Sequence, residues 1–206
     1  MKLNASYRCL LIVAVIAGLT SNLSAQTADD YKVYDAVIGQ MFRDGITQFD
    51  MNAKVSQIVI RDRTHSEYAS GPQRENWEQV KTRLRSLADD TIAGYENARR
   101  TESKLEHKFD IQLKYSLLSD ERLHEVFPNE NEYDKVQDQW TAYYKLYPDS
   151  GGYNSLSRVG YDKAGRQALV YFVNWCGSLC GTGSYVLLER SERGWVVKAS
   201  AGIWIS

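Results

Sequence analysis

The stretch from Gln167 to Arg190, QALVYFVNWCGSLCGTGSYVLLER, decides the fold. Gln167–Trp175 and Ser184–Arg190 are β-branched and aromatic runs, each bounded by turn residues, which is how strands read. Between them lie Cys176 and Cys180 with Gly177, Gly181 and Gly183. Glycines disfavour a helix and permit the tight backbone of a loop. Outward from this pair, Ser155–Tyr161 reads as a strand before it and Trp195–Ile205 as one after it. Asp162-Lys163-Ala164-Gly165 and Ser191-Glu192-Arg193-Gly194 are the turns that join them. The whole C-terminal part therefore reads as an antiparallel β-meander.

Upstream the pattern changes to helical spacing. Tyr31, Tyr34, Val37, Ile38, Met41 and Phe42 make one apolar face of a helix over Asp29–Arg43, ended by Gly45. Val55–Asp62 reads as a strand. A long helix is expected from Pro72 to Arg100, with Trp77, Val80, Leu84, Leu87, Thr91, Tyr95 and Ala98 on one stripe and a weak point at Gly94. Phe109–Leu117 alternates like a strand. Ser119 is placed to cap a short helix over Asp120–Phe127, closed by Pro128. A further helix starts at Asn131 or Glu132, and Tyr133, Val136, Trp140, Tyr143, Tyr144 and Tyr147 line its apolar side. The expected class is α+β, with N-terminal helices packed on the C-terminal antiparallel meander.

The first 25 residues read as an export signal. Lys2 and Arg8 precede an uncharged run, Cys9–Leu19, and small residues lead to Ala25. The run is shorter than the ~20 residues that span a bilayer. Residues 26–206 are then the mature chain, read as one domain, periplasmic or secreted. Of the 25 basic and 26 acidic residues, removal of 1–25 takes two bases and no acid. This leaves 23 against 26, a net charge of −3. That balance points away from nucleic acid, whose binders carry a basic patch. No later apolar run is long enough to cross a membrane.

Two cysteines remain after the leader, Cys176 and Cys180, in a compartment where disulfides persist. Four chemistries are open to them. A disulfide would staple the turn. A thiol–disulfide exchange site usually has two intervening residues and a helix N-terminus; here three intervene, between strands. A metal clip needs more ligands, and His65, His107 and His124 are scattered and read as surface residues. A nucleophilic cysteine would use His124 or His107 as base. Gly181–Ser184 lacks the helix and lysine of a phosphate loop, so its glycines read as turn geometry. No residue set implies a cofactor. Asp89-Asp90, Arg61-Asp62-Arg63 and Arg99-Arg100 read as solvated charge.

Of the 24 aromatic residues, 12 fall between Trp140 and Trp204. They fit either a helix packed on the sheet through its rings or a sugar or peptide platform built from Tyr143, Tyr147, Tyr153 or Trp175. Leu156–Ser206 resembles the C-terminal block of a family of uncharacterised exported bacterial proteins. Its S-R-V-G-Y matches Ser157–Tyr161 and its A-L-V-Y matches Ala168–Tyr171. C-G-x-L-C-G-x-G-x-Y matches Cys176–Tyr185, G-W matches Gly194-Trp195, and the closing W-I-S matches Trp204–Ser206. The resemblance implies no reaction. The expected function is a non-enzymatic binding or interaction module of the cell envelope, with an unknown protein or envelope ligand as partner. The rivals are a thiol–disulfide exchange enzyme and a cell-envelope hydrolase; the latter would need a concave site with a carboxylate of raised pKa.

Overall fold

The computed structural model describes residues 26–42, 55–66, 76–128 and 133–206, without the side chains of 133–136. The expected leader, Gly45, Pro72 and the start of the helix at Asn131 or Glu132 lie outside these residues. The elements are α1 (Ala28–Met41), β1 (Gln57–Arg61), α2 (Trp77–Arg83), α3 (Asp89–Ala98), β2 (Lys114–Leu118), α4 (Asp120–Val126), α5 (Tyr133–Leu146), β3 (Tyr153–Leu156), β4 (Gly160–Tyr161), β5 (Gln167–Gly177), β6 (Cys180–Ser191) and β7 (Gly194–Ile205). The class is mixed α+β. Among the described residues no helix is long and apolar enough to cross a membrane.

All seven strands join one sheet in the order β2-β1-β3-β5-β6-β7, with β4 also on β5. The C-terminal strands pair antiparallel, β3 and β4 with β5, β5 with β6 and β6 with β7, but the sheet as a whole is not purely antiparallel. β1 runs parallel to both β2 and β3. Helices α2 and α3 lie between β1 and β2 in the chain, and α4 and α5 between β2 and β3. Such crossovers return the chain to the same end of the sheet, so the next strand runs parallel. The N-terminal half thus supplies two strands of the sheet as well as helices.

Both faces of the sheet are covered. On one face Ile58, Ile60, Ala168, Val170, Val186 and Leu188 pack under Tyr34, Val37 and Ile38 of α1. On the other, Leu169, Tyr171, Val173, Tyr185 and Leu187 pack under Val80, Leu84, Leu87 and Tyr95. The same face carries a third cluster, in which Val59 and Leu118 meet Val126, Phe127, Trp140 and Tyr143. Coverage on both sides explains why β5 reads as a continuous apolar run rather than an alternation.

Caps and turns behave locally as their residues dictate. Thr27 and Asp30 form a reciprocal capping box at α1: the Asp30 N–H donates to Thr27 Oγ1 (3.2 Å) and the Thr27 N–H to Asp30 Oδ2 (2.7 Å). Ser119 caps α4 by accepting from the Arg122 N–H at 3.2 Å. Gly165 and Gly194 close their turns at φ +63° and +108°, a region that favours glycine.

Three expected elements differ. The long helix breaks into α2 and α3 at Leu84–Ala88, not at Gly94. The Gln167 side chain satisfies the interrupted backbone: it donates to the Ser86 carbonyl (2.9 Å) and accepts from the Ala88 N–H (2.9 Å) and the Thr91 hydroxyl (2.7 Å). Phe109–Leu113 is not strand, because the Asp110 N–H donates to Asp35 Oδ1 of α1 (3.0 Å) rather than to a ladder partner. The expected strand Ser155–Tyr161 splits into β3 and β4 at Ser157. There the Tyr171 N–H donates to Ser157 Oγ (2.8 Å) instead of a backbone carbonyl.

Candidate functional site

Cys176 and Cys180 form a disulfide across the tip of the β5–β6 hairpin, with Cα atoms 5.0 Å apart. Both cysteines lie on strands, so no helix N-terminus activates either sulfur. The tip leans on α5: the Tyr144 hydroxyl donates to the Cys176 carbonyl at 2.8 Å. Leu179 stands out at the turn, 69 % exposed. With a sequence separation of 4, closing this small loop is worth about 2 kcal/mol. Replacing both cysteines by serine is expected to lower stability by that amount in urea unfolding. A double variant of unchanged stability would argue against the staple.

Gly181 and Gly183 are not turn glycines, which corrects the expectation. They sit within β6, and a Cβ on Gly183 would come 2.2 Å from Trp204 Nε1 and 2.3 Å from Tyr171 Oη. The indole donates to that hydroxyl at 2.6 Å. The glycines make room for a Trp–Tyr bridge laid over the strand.

Of the four aromatic candidates, Tyr143 is fully buried. Its ring packs against Phe127, Trp140, Tyr144, Tyr147 and Tyr153. Tyr147, Tyr153 and Trp175 are half-buried at the rim of the same cluster. Trp175 reaches Trp204, with ring centroids 4.9 Å apart.

Several charges expected on solvated faces are not there. Arg99 is buried and pairs through Nε with Glu96 Oε2 at 3.1 Å. Asp62 is buried too. Arg61 and Arg63 converge on Asp120, at 2.5 and 2.7 Å. His65 is half-buried, and desolvation, with Arg61 nearby, holds its pKa below the ordinary value. His107 and His124 are exposed as expected. Among the described residues no group of three or more His, Cys, Asp or Glu could hold a metal ion.

Sequence reasoning missed a cleft of about 710 Å³ on the α1 face of the sheet. Its α1 wall carries Asp35, Ile38, Gly39 and Phe42. Its floor includes Val55, Ile58, Trp195 and Val197. The far wall is the non-strand segment with Asp110, Ile111 and Leu113. That volume suits a small molecule, and pockets for such ligands are mainly apolar with a few placed polar groups. Trp195 is held from behind, its Nε1 donating to Asp29 Oδ2 at 3.3 Å.

Asp35 is the notable polar group. Burial pushes its pKa from the ordinary 3.8 up to about 6; the Asp110 N–H opposes this and the Asp110 carboxylate adds to it. Only a faint signal pointed here, an acid flanked by Tyr34 and Ala36 beside an apolar stripe. The raised value also sets a pH dependence. Between about pH 4 and 6 the native state holds a proton that the unfolded chain has released, so stability falls as pH rises through this window. Discounted for half exposure, the effect is about 1 kcal/mol. Asp35→Asn is therefore expected to stabilise the protein by about that much at pH 8 and not at pH 4. A loss at pH 8 would contradict the assignment.

No family model, no curated protein and no solved structure matches this chain.

Proposed function

We propose that the protein is an exported, non-enzymatic binding module of the cell envelope, and that its ligand site is the cleft between α1, β7 and the Asp110–Leu113 segment. The observation that carries this reading is the cleft itself: small-molecule size, a lining that mixes apolar with polar surface, and carboxylates as its only ionisable groups among the described residues. The Cys176–Cys180 disulfide fits an oxidising compartment. The rings of Tyr147, Tyr153 and Trp175, half-buried at the rim of the aromatic cluster, are the candidate contact for a protein partner.

The test uses the neutral apolar fluorophore N-phenyl-1-naphthylamine. A Cβ on Gly39 would meet nothing within 4 Å, so Gly39→Phe puts a ring into open space on the cleft wall. The change also removes a glycine from a helix interior, which favours folding. Saturable fluorescence enhancement is expected with the natural protein, with most of it lost in Gly39→Phe. No enhancement, or equal enhancement in both proteins, would overturn the reading.

One observation favours the hydrolase rival. Asp35 is a carboxylate of raised pKa in a concave site, as a general acid or base requires. That reading predicts release of soluble fragments from isolated envelope polymer, abolished in Asp35→Asn. Binding without turnover decides for the module.

A further inference from the structure

We propose that the cleft takes an amphiphilic cation, its ammonium or amidinium head seated at Asp35 and Asp110 and its hydrocarbon tail laid along Ile111, Leu113 and Val197. This rests on the reading of the cleft as a ligand site and names the class of ligand. The lining offers a surface for the tail. Around the buried Ile38, Ile58 and Trp195 the cleft keeps apolar surface open to water: Val196 is 47 % exposed, and Ile111, Leu113 and Val197 are half-buried. A straight aliphatic or aromatic tail would exclude water from all of them at once.

Charge selects the head. The ionisable groups that line the cleft among the described residues are Asp35 on α1 and Asp110 on the opposite wall. Val55 and Ile58 on the floor and Trp195, Val196 and Val197 of β7 bring none. The Asp110 N–H occupies Asp35 Oδ1. No described base is bonded to Asp35 Oδ2 or to the Asp110 carboxylate. The two acids repel each other, and that repulsion adds to burial in holding the Asp35 proton. A cation placed between them is attracted by both and relieves the repulsion. An anion would meet like charge, and a neutral head would leave the repulsion in place.

The consequence is a linked pH dependence. An opposite charge beside a carboxylate lowers its pKa by about 1–3 units. Affinity for the cation must therefore rise about five- to tenfold between pH 5 and pH 8, as Asp35 gives up its proton. A neutral ligand of the same length should show little change, and an anion the reverse.

The experiment is displacement of N-phenyl-1-naphthylamine by octylamine, 1-octanol and octanoate, which share one chain length and differ in head charge. At pH 8 octylamine, then an ammonium ion, should bind about tenfold tighter than 1-octanol, with octanoate weakest. Asp35→Asn should remove most of octylamine's advantage over 1-octanol and flatten its pH profile. Asp110→Asn should reduce the preference by a smaller factor. Circular dichroism on each variant checks that the fold is retained. Equal binding of octylamine and 1-octanol would overturn the cationic preference and leave the cleft as an apolar site. Undiminished octylamine binding in Gly39→Phe would place the cation elsewhere and overturn the proposal. Failure of the fluorophore itself to bind would sink both this inference and the reading beneath it.

Discussion

Gly94→Ala is expected to cost about 3 kcal/mol, enough to remove much of the stability of an ordinary domain. Helix α3 lies on β4 backbone to backbone. A Cβ at Gly94 would sit 2.0 Å from the Tyr161 carbonyl oxygen, and one at Gly160 would sit 2.2 Å from the Tyr95 Cα. Neither obstacle is a side-chain end that can swing away, so helix and strand must separate. Tyr95 and Leu169 are both fully buried in the core beside this contact and would be exposed by the separation. Helix propensity alone predicts the opposite sign, since alanine exceeds glycine by about 1 kcal/mol in a helix interior. Gly39→Ala is the control, because its Cβ meets nothing and the propensity gain should appear in full. Urea unfolding of the two variants separates the effects. A Gly94→Ala protein at least as stable as the parent would mean that α3 does not rest on β4.

Tyr143→Ala is the second large effect, expected at about 3–5 kcal/mol. The ring is fully buried at the centre of an aromatic cluster that joins α4 and α5 to the sheet. Its removal leaves a cavity lined by Phe127, Trp140 and Tyr153. Tyr143→Phe keeps the ring and loses only the contact with Ser150 Oγ at 3.5 Å, so about 1 kcal/mol is expected. Burial pushes the Tyr143 hydroxyl pKa well above its ordinary range, in keeping with a group that stays neutral in the core. A stable Tyr143→Ala protein that had lost ligand binding would instead make this residue part of a recognition platform.

Local chemistry was legible in the sequence; distant pairing was not. Ser119 caps a helix and Gly165 closes a turn because each acts within a few residues of itself. The direction of β1 against β2 and β3 depends on crossovers whose packing no local window contains. The break between α2 and α3 is stabilised by Gln167, about 80 positions away, so the apolar stripe from Val80 to Tyr95 read as one helix. Gly94, Gly181 and Gly183 announced flexibility in sequence and serve close approach in space. The disulfide could be weighed from compartment and spacing because its partners are neighbours. The cleft was illegible because its walls come from α1, the Asp110–Leu113 segment and β7, and only their juxtaposition turns Asp35 from a surface acid into a half-buried one.

Backbone-amide chemical-shift mapping of the protein titrated with octylamine at pH 8 reads the ligand site directly. The account predicts saturable shifts grouped at Ala36–Gln40, Asp110–Leu113 and Trp195–Val197, the residues that line the cleft. Shifts grouped instead around Tyr147, Tyr153 and Trp175, or scattered without saturation, would contradict it.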